Sequence, residues 1–188
     1  MIEIRTLEKL SFEELESFGF NGFKTDRIIA VEKSKEDKSM VIKFNEVELD
    51  RQYIKEWKSD NDSISFFQSI IDEGFSFGVF KDNVLIGILL SSYHGWNNSL
   101  WIENIRVSEK AMGEGIGRKL IDRLISYGKS KKIRILGLEV QSTNYPAIKF
   151  YEKCGFEISG VDFKRYPQRE NDIFQVAIIM NIDIGERD

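Results

Sequence analysis

Apolar and polar positions follow regular patterns along most of the chain, and these patterns predict its secondary structure. In the first part, "IEIRTL" predicts an edge strand, and "SFEELESF" predicts a short helix with Ser11 as its N-cap and Glu14 completing a capping box. Residues 27–44 predict two strands joined by a charged turn. The pattern of residues 46–74 is compatible with one helix. The polar segment "KSDND" within it indicates a loop, which we expect on the substrate side.

The patterns from residue 75 onward are sharper. Residues 75–107 contain three strand-like runs joined by the turns "KDN" and "HGWNNS". A helix is predicted over residues 115–127, because apolar residues recur every four positions, and Gly128 is predicted to end it. The solvated segment "KSKK", the strand "IRILGLEV" and the helix "PAIKFYEKC" come next, followed by strands in "EISGVDFKRY" and "DIFQVAIIMNI". The order is therefore antiparallel strands, then strand-helix-strand-helix, then a final pair of strands.

Length, charge and cysteine content narrow the possible functions. The 188 residues fit one domain, 1–188, and 31 acidic against 27 basic residues argue against nucleic acid as a partner. The chain shows no signal peptide and no membrane-spanning run, so we expect a cytoplasmic protein that does not bind membranes. Cys154 and His94 are its single cysteine and histidine, so we expect no disulfide and no metal.

A glycine-rich loop precedes the predicted helix. In "AMGEGIGRKL", Gly113, Gly115 and Gly117 let backbone N–H groups at a helix start approach an anion, so the loop suits a phosphate. The P-loop of nucleoside triphosphatases is excluded because no Ser or Thr follows the basic residues. A dinucleotide fold is a closer alternative, since Glu139 lies where a ribose-binding acid would sit, but the GxGxxG spacing is absent. A tight turn without a ligand and a site for the coenzyme A pyrophosphate remain open.

Two motifs in the second half of the chain resemble those of an enzyme family. "IRVSEKAMGEGIGRKLI" followed by "LEVQSTNYPAIKFYEKCGF" resembles the GNAT superfamily of acyl-CoA-dependent N-acyltransferases, in order and in spacing. The resemblance implies an α+β (mixed α/β) fold with a central, mostly antiparallel, twisted sheet of six to seven strands, flanked by helices and splayed at the CoA-binding strand pair. It also implies acetyl-CoA as co-substrate, a substrate-side portion over 1–74 and an acyl-CoA-binding and catalytic core over 75–183.

The resemblance further implies which residues bind acyl-CoA. The loop backbone would bind the pyrophosphate, and the strand before it would pair with the pantetheine arm as with an added strand. Asn144 corresponds to the asparagine that bonds the pantetheine amides, with an ordinary helix N-cap as the alternative. Tyr151 corresponds to the tyrosine that acts as general acid, with a core aromatic as the alternative. The implied cofactor-binding residues are Ile105, Arg106, Val107, Met112, Gly113, Glu114, Gly115, Ile116, Gly117, Arg118, Asn144 and Tyr151.

Three positions near the loop depart from the family pattern or oppose anion binding. Met112 stands where Gln or Arg is usual, and Glu109 stands where Pro is frequent. Backbone donors do not depend on either side chain. Glu114 adds a negative charge inside the loop, which we expect Arg118 and the "KSKK" run to offset.

Glu103 is the predicted general base. In "LWIENIRV", strict alternation puts Glu103 on the same, otherwise apolar face as Trp101, where burial would raise the pKa of its carboxyl. The alternative is a surface glutamate at a strand end or a bulge. Cys154 is predicted to be a buried structural cysteine and His94 a turn residue, which argues against a cysteine hydrolase.

The acceptor is predicted from the subgroup that the chain resembles most, the streptothricin acetyltransferases, through "LEVQSTNYPAIKFYEKCGF" and "GVDFKRY". We therefore expect an N-acetyltransferase that moves an acetyl group directly to a primary amine of a small cationic molecule, such as a streptothricin-type antibiotic. A protein or peptide amine, a non-catalytic acyl-CoA sensor and a homodimer remain open. Acidic and aromatic side chains would hold a cation, and the candidates are Asp60, Asp62, Asp72, Glu73, Glu103, Asp162, Trp96, Trp101, Tyr93 and Tyr166.

Overall fold

The computed structural model describes residues 1–58, 60–167 and 173–185. The strands are Ile2–Thr6 (β1), Gly22–Glu36 (β2), Ser39–Glu56 (β3), Phe77–Lys81 (β4), Val84–His94 (β5), Ser99–Val107 (β6), Ile135–Gln141 (β7), Glu157–Asp162 (β8) and Ala177–Asp183 (β9). The helices are Phe12–Ser17 (α1), Asn61–Ile71 (α2), Ile116–Ser130 (α3) and Tyr145–Lys153 (α4), and a short 3-10 turn, Glu109–Ala111, precedes α3.

Seven of these strands form one sheet in the order β1-β4-β5-β6-β7-β9-β8, and β2 and β3 form a separate two-stranded ribbon. The pairs β1–β4, β4–β5 and β5–β6 are antiparallel, whereas β6 and β7 are parallel. The helix α3 lies in the connection between β6 and β7, as parallel neighbours require a crossover. The predicted mixed α/β fold with a mostly antiparallel sheet of six to seven strands is confirmed.

The chain divides into two compact units, of which the first holds Met1–Asn21, Trp57–Leu138 and the residues from Asn181 onward. One buried cluster of this unit joins α1, α2 and β5, and Leu15 and Ile88 are completely enclosed in it. The four-residue repeat predicted for α3 forms a stripe whose side chains are all buried. A Cβ at Gly87 of β5 would lie 2.9 Å from Ile116, so the first turn of α3 packs directly against β5. This packing fixes where the glycine loop ends.

The second unit holds Gly22–Glu56 and Glu139–Met180. Its β2–β3 ribbon is antiparallel throughout, with one irregularity after Thr25. Near its base the ribbon buries Phe23 and Ile29, and the N–H of Ile29 donates to the carbonyl of Ser142 at 2.9 Å. The half of the ribbon next to its turn, residues 32–43, is mostly exposed on both strands. The packed part of this unit therefore lies at the base of the ribbon, beside the segment that follows β7.

The first 74 residues confirm the predicted start of α1 and extend the predicted strands. The N–H of Glu14 donates to Ser11 Oγ at 3.1 Å, and the Glu14 carboxylate accepts from the Ser11 N–H at 2.9 Å, which completes the capping box. The second ribbon strand runs on to Glu56, so only the end of the 46–74 segment is helical. Asp60 caps α2 by accepting from the N–H of Ser63 at 2.8 Å.

The prediction that Gly128 ends α3 is wrong. The helix continues through Gly128 to Ser130. A Cβ at Gly128 would lie 2.6 Å from Ile184 Cδ1, so close packing of the helix explains the glycine better than a C-cap does. As a consequence, half of the "KSKK" run is helical, and the run lies about 20 Å along α3 from the glycine loop at a rise of about 1.5 Å per residue.

The strand predicted in "EISGVDFKRY" ends earlier than expected, at Asp162. The Asp162 carboxylate accepts from the N–H of Lys164 at 2.7 Å, a local bond of the kind that forms turns and stops a strand. Of the last predicted strand, "DIFQVAIIMNI", Asp172 lies outside the described residues, and the observed strand begins at Ala177.

Candidate active site

The glycine loop lies between β6 and α3. Gly113 and Gly115 have φ angles of 82° and 74°, in the left-handed region where glycine is favoured. A Cβ at either position would meet no atom within 4 Å, so the space beside both residues is open. Gly115 is the N-cap of α3 and has no side chain that could cap the helix. The loop therefore presents bare backbone to an open volume.

Several backbone N–H groups of this loop have no acceptor. Among the described residues, no hydrogen bond is donated by the N–H of Gly113, Gly115, Ile116 or Gly117. These donors lie at the start of a 15-residue helix, whose dipole adds a positive partial charge. Unpaired donors beside open space at a helix N-terminus can bind an anion, and a phosphate suits them.

The charged side chains around the loop are paired with neighbours. Glu114 Oε2 lies 4.0 Å from Lys81 Nζ, so Lys81 partly offsets the negative charge inside the loop. Arg118 Nε lies 2.9 Å from Asp122 Oδ1, one helical turn further on. The expectation that "KSKK" offsets Glu114 is wrong, because that run lies at the other end of α3. Met112 is exposed and leaves the backbone donors accessible.

β6, which leads into the loop, has one edge that is only partly paired. It pairs with β5 from Ser99 to Val107 but with β7 only from Ser99 to Ile102. Residues 103–107 are partly exposed, and no other described strand pairs with that edge. The backbone of 105–107 can therefore pair with an extended ligand.

The side chain of Arg106 is engaged within its own unit. Its Nη2 donates to the carbonyl of Gly19 at 2.6 Å, and the guanidinium carbon lies 5.6 Å from the centre of the Phe18 ring. Burial lowers the pKa of this guanidinium from its usual value. The side chain therefore packs on the end of α1, and the pairing predicted for Arg106 rests on its backbone.

Glu103 lies at a β-bulge of β6. The register with β5 shifts between Leu90 and Ser91, which leaves Glu103 as the extra residue. The predicted alternation is broken at this point, and the predicted burial of Glu103 is wrong, because the residue is exposed. Its Oε1 accepts a hydrogen bond from Ser92 Oγ at 2.7 Å. The bulge thus turns the carboxylate toward a hydroxyl on the neighbouring strand.

Ser92 also approaches the single histidine of the chain. Ser92 Oγ lies 3.5 Å from His94 Nε2, and the His94 ring stacks on Trp101 with 5.9 Å between ring centres. His94 is the last residue of β5, so the prediction of a turn residue is wrong. A Cβ at Gly137 of β7 would lie 2.7 Å from the Trp101 ring, so a larger residue at this position would clash with the indole. The serine hydroxyl thus lies between the carboxylate and the imidazole.

Helix α4 carries the two remaining predicted site residues. Asn144 Oδ1 accepts from the N–H of Ala147 at 3.3 Å, so the alternative considered for Asn144, an ordinary helix N-cap, is observed. Tyr151 is 7% exposed and packs edge-on against Phe156 with 5.6 Å between ring centres. Burial raises the pKa of its phenol. Among the described residues, no group hydrogen-bonds the Tyr151 hydroxyl. Cys154, which ends α4, is buried as predicted.

The sequence profile of the acetyltransferase (GNAT) family matches residues 42–156, a range that includes β6, the glycine loop and α4. The chain belongs to this family. The fold of this GNAT protein is similar to that of the putative streptothricin acetyltransferase from Bacillus anthracis str. Ames, solved in complex with acetyl coenzyme A. The TM-score is 0.71 at 26% identity, and the match covers 97% of this chain and 99% of that one.

Two curated relatives of the GNAT chain differ in the acceptor that their names give. Streptothricin acetyltransferase of Escherichia coli is 35% identical over 124 residues, which cover 64% of this chain and 66% of that protein. The ribosomal protein bS18-alanine N-acetyltransferase of Escherichia coli (strain K12) is 33% identical over 82 residues, 44% of this chain and 54% of that protein. The matched segments therefore span 66% and 54% of the two relatives.

The candidate cation-binding residues of this GNAT chain have varied structural roles. Asp60 caps α2, and Asp162 closes the turn after β8. Glu73 accepts a hydrogen bond from the N–H of Tyr93 at 2.8 Å. Trp96 is 87% exposed in the turn between β5 and β6. Several of these side chains therefore have a local structural task that explains their presence.

Glu139, which the sequence suggests only as a ribose-binding acid of a dinucleotide fold, lies in β7 and contacts a tyrosine. The hydroxyl of Tyr166 lies 2.6 Å and 2.7 Å from the two carboxylate oxygens of Glu139. Glu139 is partly buried, and burial raises the pKa of its carboxyl. The available sequence signal was the placement of two polar residues, Glu139 and Gln141, at alternate positions of the otherwise apolar strand "ILGLEVQ".

The described part of the GNAT chain has neither a cluster of metal ligands nor a helix suited to a membrane. It contains no group of three or more His, Cys, Asp or Glu side chains arranged to hold a metal ion. None of its described helices combines the length and the apolar composition that crossing a membrane takes.

Proposed function

We propose that this chain is an acetyl-CoA-dependent N-acetyltransferase that moves an acetyl group directly to a primary amine of a small cationic molecule, such as a streptothricin-type antibiotic. The observation that carries the proposal is the set of unpaired N–H groups in the glycine loop, beside open space at the start of α3. Membership of the GNAT family and the similarity to streptothricin acetyltransferases support it.

The loop and the strand before it suit the two ends of acyl-CoA. The backbone of residues 112–118 would bind the pyrophosphate, because four of its N–H groups, those of Gly113, Gly115, Ile116 and Gly117, have no acceptor among the described residues and its glycines leave room for an anion. The free edge of β6 at 105–107 would bond the amides of the pantetheine arm as an added strand does. Asn144 would add its side-chain nitrogen, since its oxygen is already used as the N-cap.

Glu103 and Tyr151 would move the two protons of the reaction. Acetyl-CoA supplies the acetyl group and the leaving thiol. Glu103, oriented by Ser92, takes a proton from the acceptor ammonium, so that the nitrogen can attack the thioester carbon. Tyr151 donates its proton to the sulfur as the carbon–sulfur bond breaks. The second proton that the nitrogen loses as the amide forms returns to the Tyr151 phenolate, and the proton on Glu103 is released to water. Because burial raises the pKa of Tyr151, its phenol carries that proton at neutral pH.

A protein amine is the second candidate acceptor, and the similarity to the bS18-alanine N-acetyltransferase favours it. The two candidates and a non-catalytic sensor are separated by measuring thiol release from acetyl-CoA with a panel of amines. The panel contains streptothricin, a polyamine, an aminoglycoside and a peptide with an N-terminal alanine. Turnover of streptothricin supports the proposal, and turnover of the peptide alone supports the second candidate. Binding of acetyl-CoA without any turnover contradicts an enzymatic function.

The glycine loop is tested by a matched pair of substitutions. Gly113 and Gly74 both have φ of 82°, and a Cβ at either would meet nothing within 4 Å, so alanine strains both backbones equally. Only Gly113 lies among the unpaired donors. We expect Gly113→Ala to raise the KM for acetyl-CoA about tenfold or more, which corresponds to about 1.4 kcal/mol, and Gly74→Ala to leave it unchanged. Equal effects of the two substitutions would contradict pyrophosphate binding by the loop.

A further inference from the structure

Three polar side chains of β5 and β6 lie in contact with one another, in the order His94, Ser92, Glu103. Ser92 Oγ lies 2.7 Å from Glu103 Oε1 and 3.5 Å from His94 Nε2. Ser92 and His94 alternate along β5, so their side chains share a face of the sheet. All three residues belong to the first compact unit. Glu103 also lies two residues before the strand edge at 105–107 that the proposed function assigns to the pantetheine arm.

The hydrogen of the Ser92 hydroxyl can serve only one of its two neighbours. A serine hydroxyl has one hydrogen and two lone pairs. The contact to the carboxylate is the shorter one, and hydrogen bonds to ionised acceptors are the stronger ones, so the hydrogen points to Glu103. Ser92 Oγ then presents lone pairs to His94 Nε2. This contact is favourable only when Nε2 carries a hydrogen and donates it to the serine oxygen.

The ring of His94 is confined by its neighbours. It stacks on the Trp101 indole with 5.9 Å between ring centres and 12° between ring planes. The indole is in turn confined by β7, where a Cβ at Gly137 would lie 2.7 Å from it. Among the described residues, Ser92 is the one hydrogen-bond partner of the His94 ring. The choice of the nitrogen that carries the hydrogen therefore decides what His94 does to Ser92.

Glu103 depends on Ser92 for its orientation. Its side chain is exposed on the bulge, and within the described part of the chain it hydrogen-bonds Ser92 alone. An exposed glutamate that is not held samples many rotamers, and fixing it costs conformational entropy. A general base has to lie within hydrogen-bond distance of the proton that it takes. Since hydrogen bonds in a chain polarise one another, a donor behind Ser92 strengthens the bond from Ser92 to Glu103.

We propose that His94 is a positioning residue of the acetyl transfer, which donates its Nε2 hydrogen to Ser92 Oγ and thereby directs the Ser92 hydroxyl to the Glu103 carboxylate. This inference rests on the proposed function, in which Glu103 is the general base. His94 acts through Ser92 and exchanges no proton with the acceptor. With a hydrogen on Nδ1 alone, Nε2 would instead compete with Glu103 for the Ser92 hydrogen and leave the carboxylate less well held.

The first test compares two amide substitutions of His94. In glutamine the amide nitrogen is as many bonds from Cα as Nε2 is in histidine, whereas in asparagine it takes the place of Nδ1. Both variants lose the ring that stacks on Trp101, so a purely structural effect is shared. A hydrogen bond of this kind contributes about three- to tenfold. We expect His94→Asn to lower kcat/KM by that factor for an amine that the wild type acetylates, and His94→Gln to recover most of it. The KM for acetyl-CoA should be unchanged in both variants.

The same comparison in a Ser92→Ala background tests the path of the effect. There the difference between glutamine and asparagine at position 94 should vanish, because the hydroxyl through which His94 acts is absent. A difference that persists without Ser92 would contradict the inference.

The second test observes the hydrogen directly and needs no turnover. Because His94 is the single histidine of the chain, the imidazole signals in a ¹⁵N NMR spectrum of the untagged protein come from this residue alone. We expect Nε2 to carry a hydrogen that exchanges slowly with water in the wild type and faster in Ser92→Ala, which removes its acceptor. Ser130→Ala, the same change in a serine at the end of α3, should leave the exchange slow.

The outcomes separate this inference from the proposed function. If amines are acetylated but His94→Gln and His94→Asn agree within about twofold in kcat/KM, the inference is overturned and the enzyme remains. A hydrogen on Nδ1 with none on Nε2, or equal exchange in the wild type and Ser92→Ala, also overturns it. If no amine is acetylated, the proposed function fails, and the NMR comparison alone decides whether His94 donates to Ser92. The same comparison decides it if a His94 variant does not fold.

Discussion

Replacing Tyr151 by phenylalanine removes one hydroxyl and keeps the rest of the side chain. The ring is 7% exposed and contacts Phe150 and Phe156 at 5.2 Å and 5.6 Å between ring centres. Those contacts do not involve the hydroxyl, and no described residue hydrogen-bonds it. The substitution therefore leaves the packing intact and removes only the group that we propose as the proton donor.

The expected effects on stability and on catalysis differ in size. Because no hydrogen bond within the described chain is lost, the free energy of unfolding should change by less than about 1 kcal/mol. A general acid contributes about 10²- to 10⁴-fold to the rate. At about 1.36 kcal/mol for each factor of ten, the activation barrier should rise by about 2.7–5.4 kcal/mol. The KM for acetyl-CoA should change little, since the hydroxyl acts when the thiol leaves.

The assay measures kcat by thiol release and stability by denaturant titration, for Tyr151→Phe and for Tyr145→Phe on the same helix. The Tyr145 hydroxyl lies 2.9 Å from Glu46, so Tyr145→Phe should reduce stability slightly and leave kcat unchanged. A loss of kcat below about threefold in Tyr151→Phe, or a similar loss in both variants, would refute Tyr151 as the acid.

Three further predictions concern the bulge, the indole and the buried phenols. Ser92→Ala should reduce kcat/KM about tenfold, because Glu103 loses its orienting hydrogen bond. In a Glu103→Gln background, Ser92→Ala should cause no further loss of kcat/KM. Independent losses from the two substitutions would contradict the pairing of Ser92 with Glu103. Gly137→Ala should lower the free energy of unfolding by about 1–3 kcal/mol in denaturant titration, because the added Cβ would lie 2.7 Å from the Trp101 ring. Gly160→Ala is the control, since its Cβ would make only ordinary contacts at 3.7 Å. Equal effects of the two substitutions would contradict the clash with Trp101. Burial raises the pKa of Tyr151 and of Tyr166, so the folded state keeps protons that the unfolded state releases near pH ~10, and the free energy of unfolding should fall as the pH rises above that value. The double Tyr→Phe variant should show a smaller fall, and an unchanged one would contradict the burial effect.

Local signals in the sequence predicted much of the fold. The capping box at Ser11, the four-residue repeat of α3 and the loop glycines act over a few residues, so the chain next to them is enough to interpret them. The wrong predictions have a common origin. Glycine is common where a helix ends, but Gly128 is needed for a different reason. Its lack of a Cβ lets α3 pack closely on Ile184, which is 56 positions further along the chain. Packing partners of this kind are not visible in a local pattern.

In the candidate site, too, some features follow from the local sequence and others depend on residues that are distant in the chain. By itself, the sequence predicted the glycine loop before α3, the N-cap Asn144 and the family, because these depend on residue type and spacing along the chain. Only the tertiary structure decided that Glu103 lies exposed on a bulge, since a register shift between two strands changes which face a side chain occupies. It alone also brought Tyr166 to Glu139, because a hydrogen bond between residues 27 positions apart depends on how the chain folds back on itself.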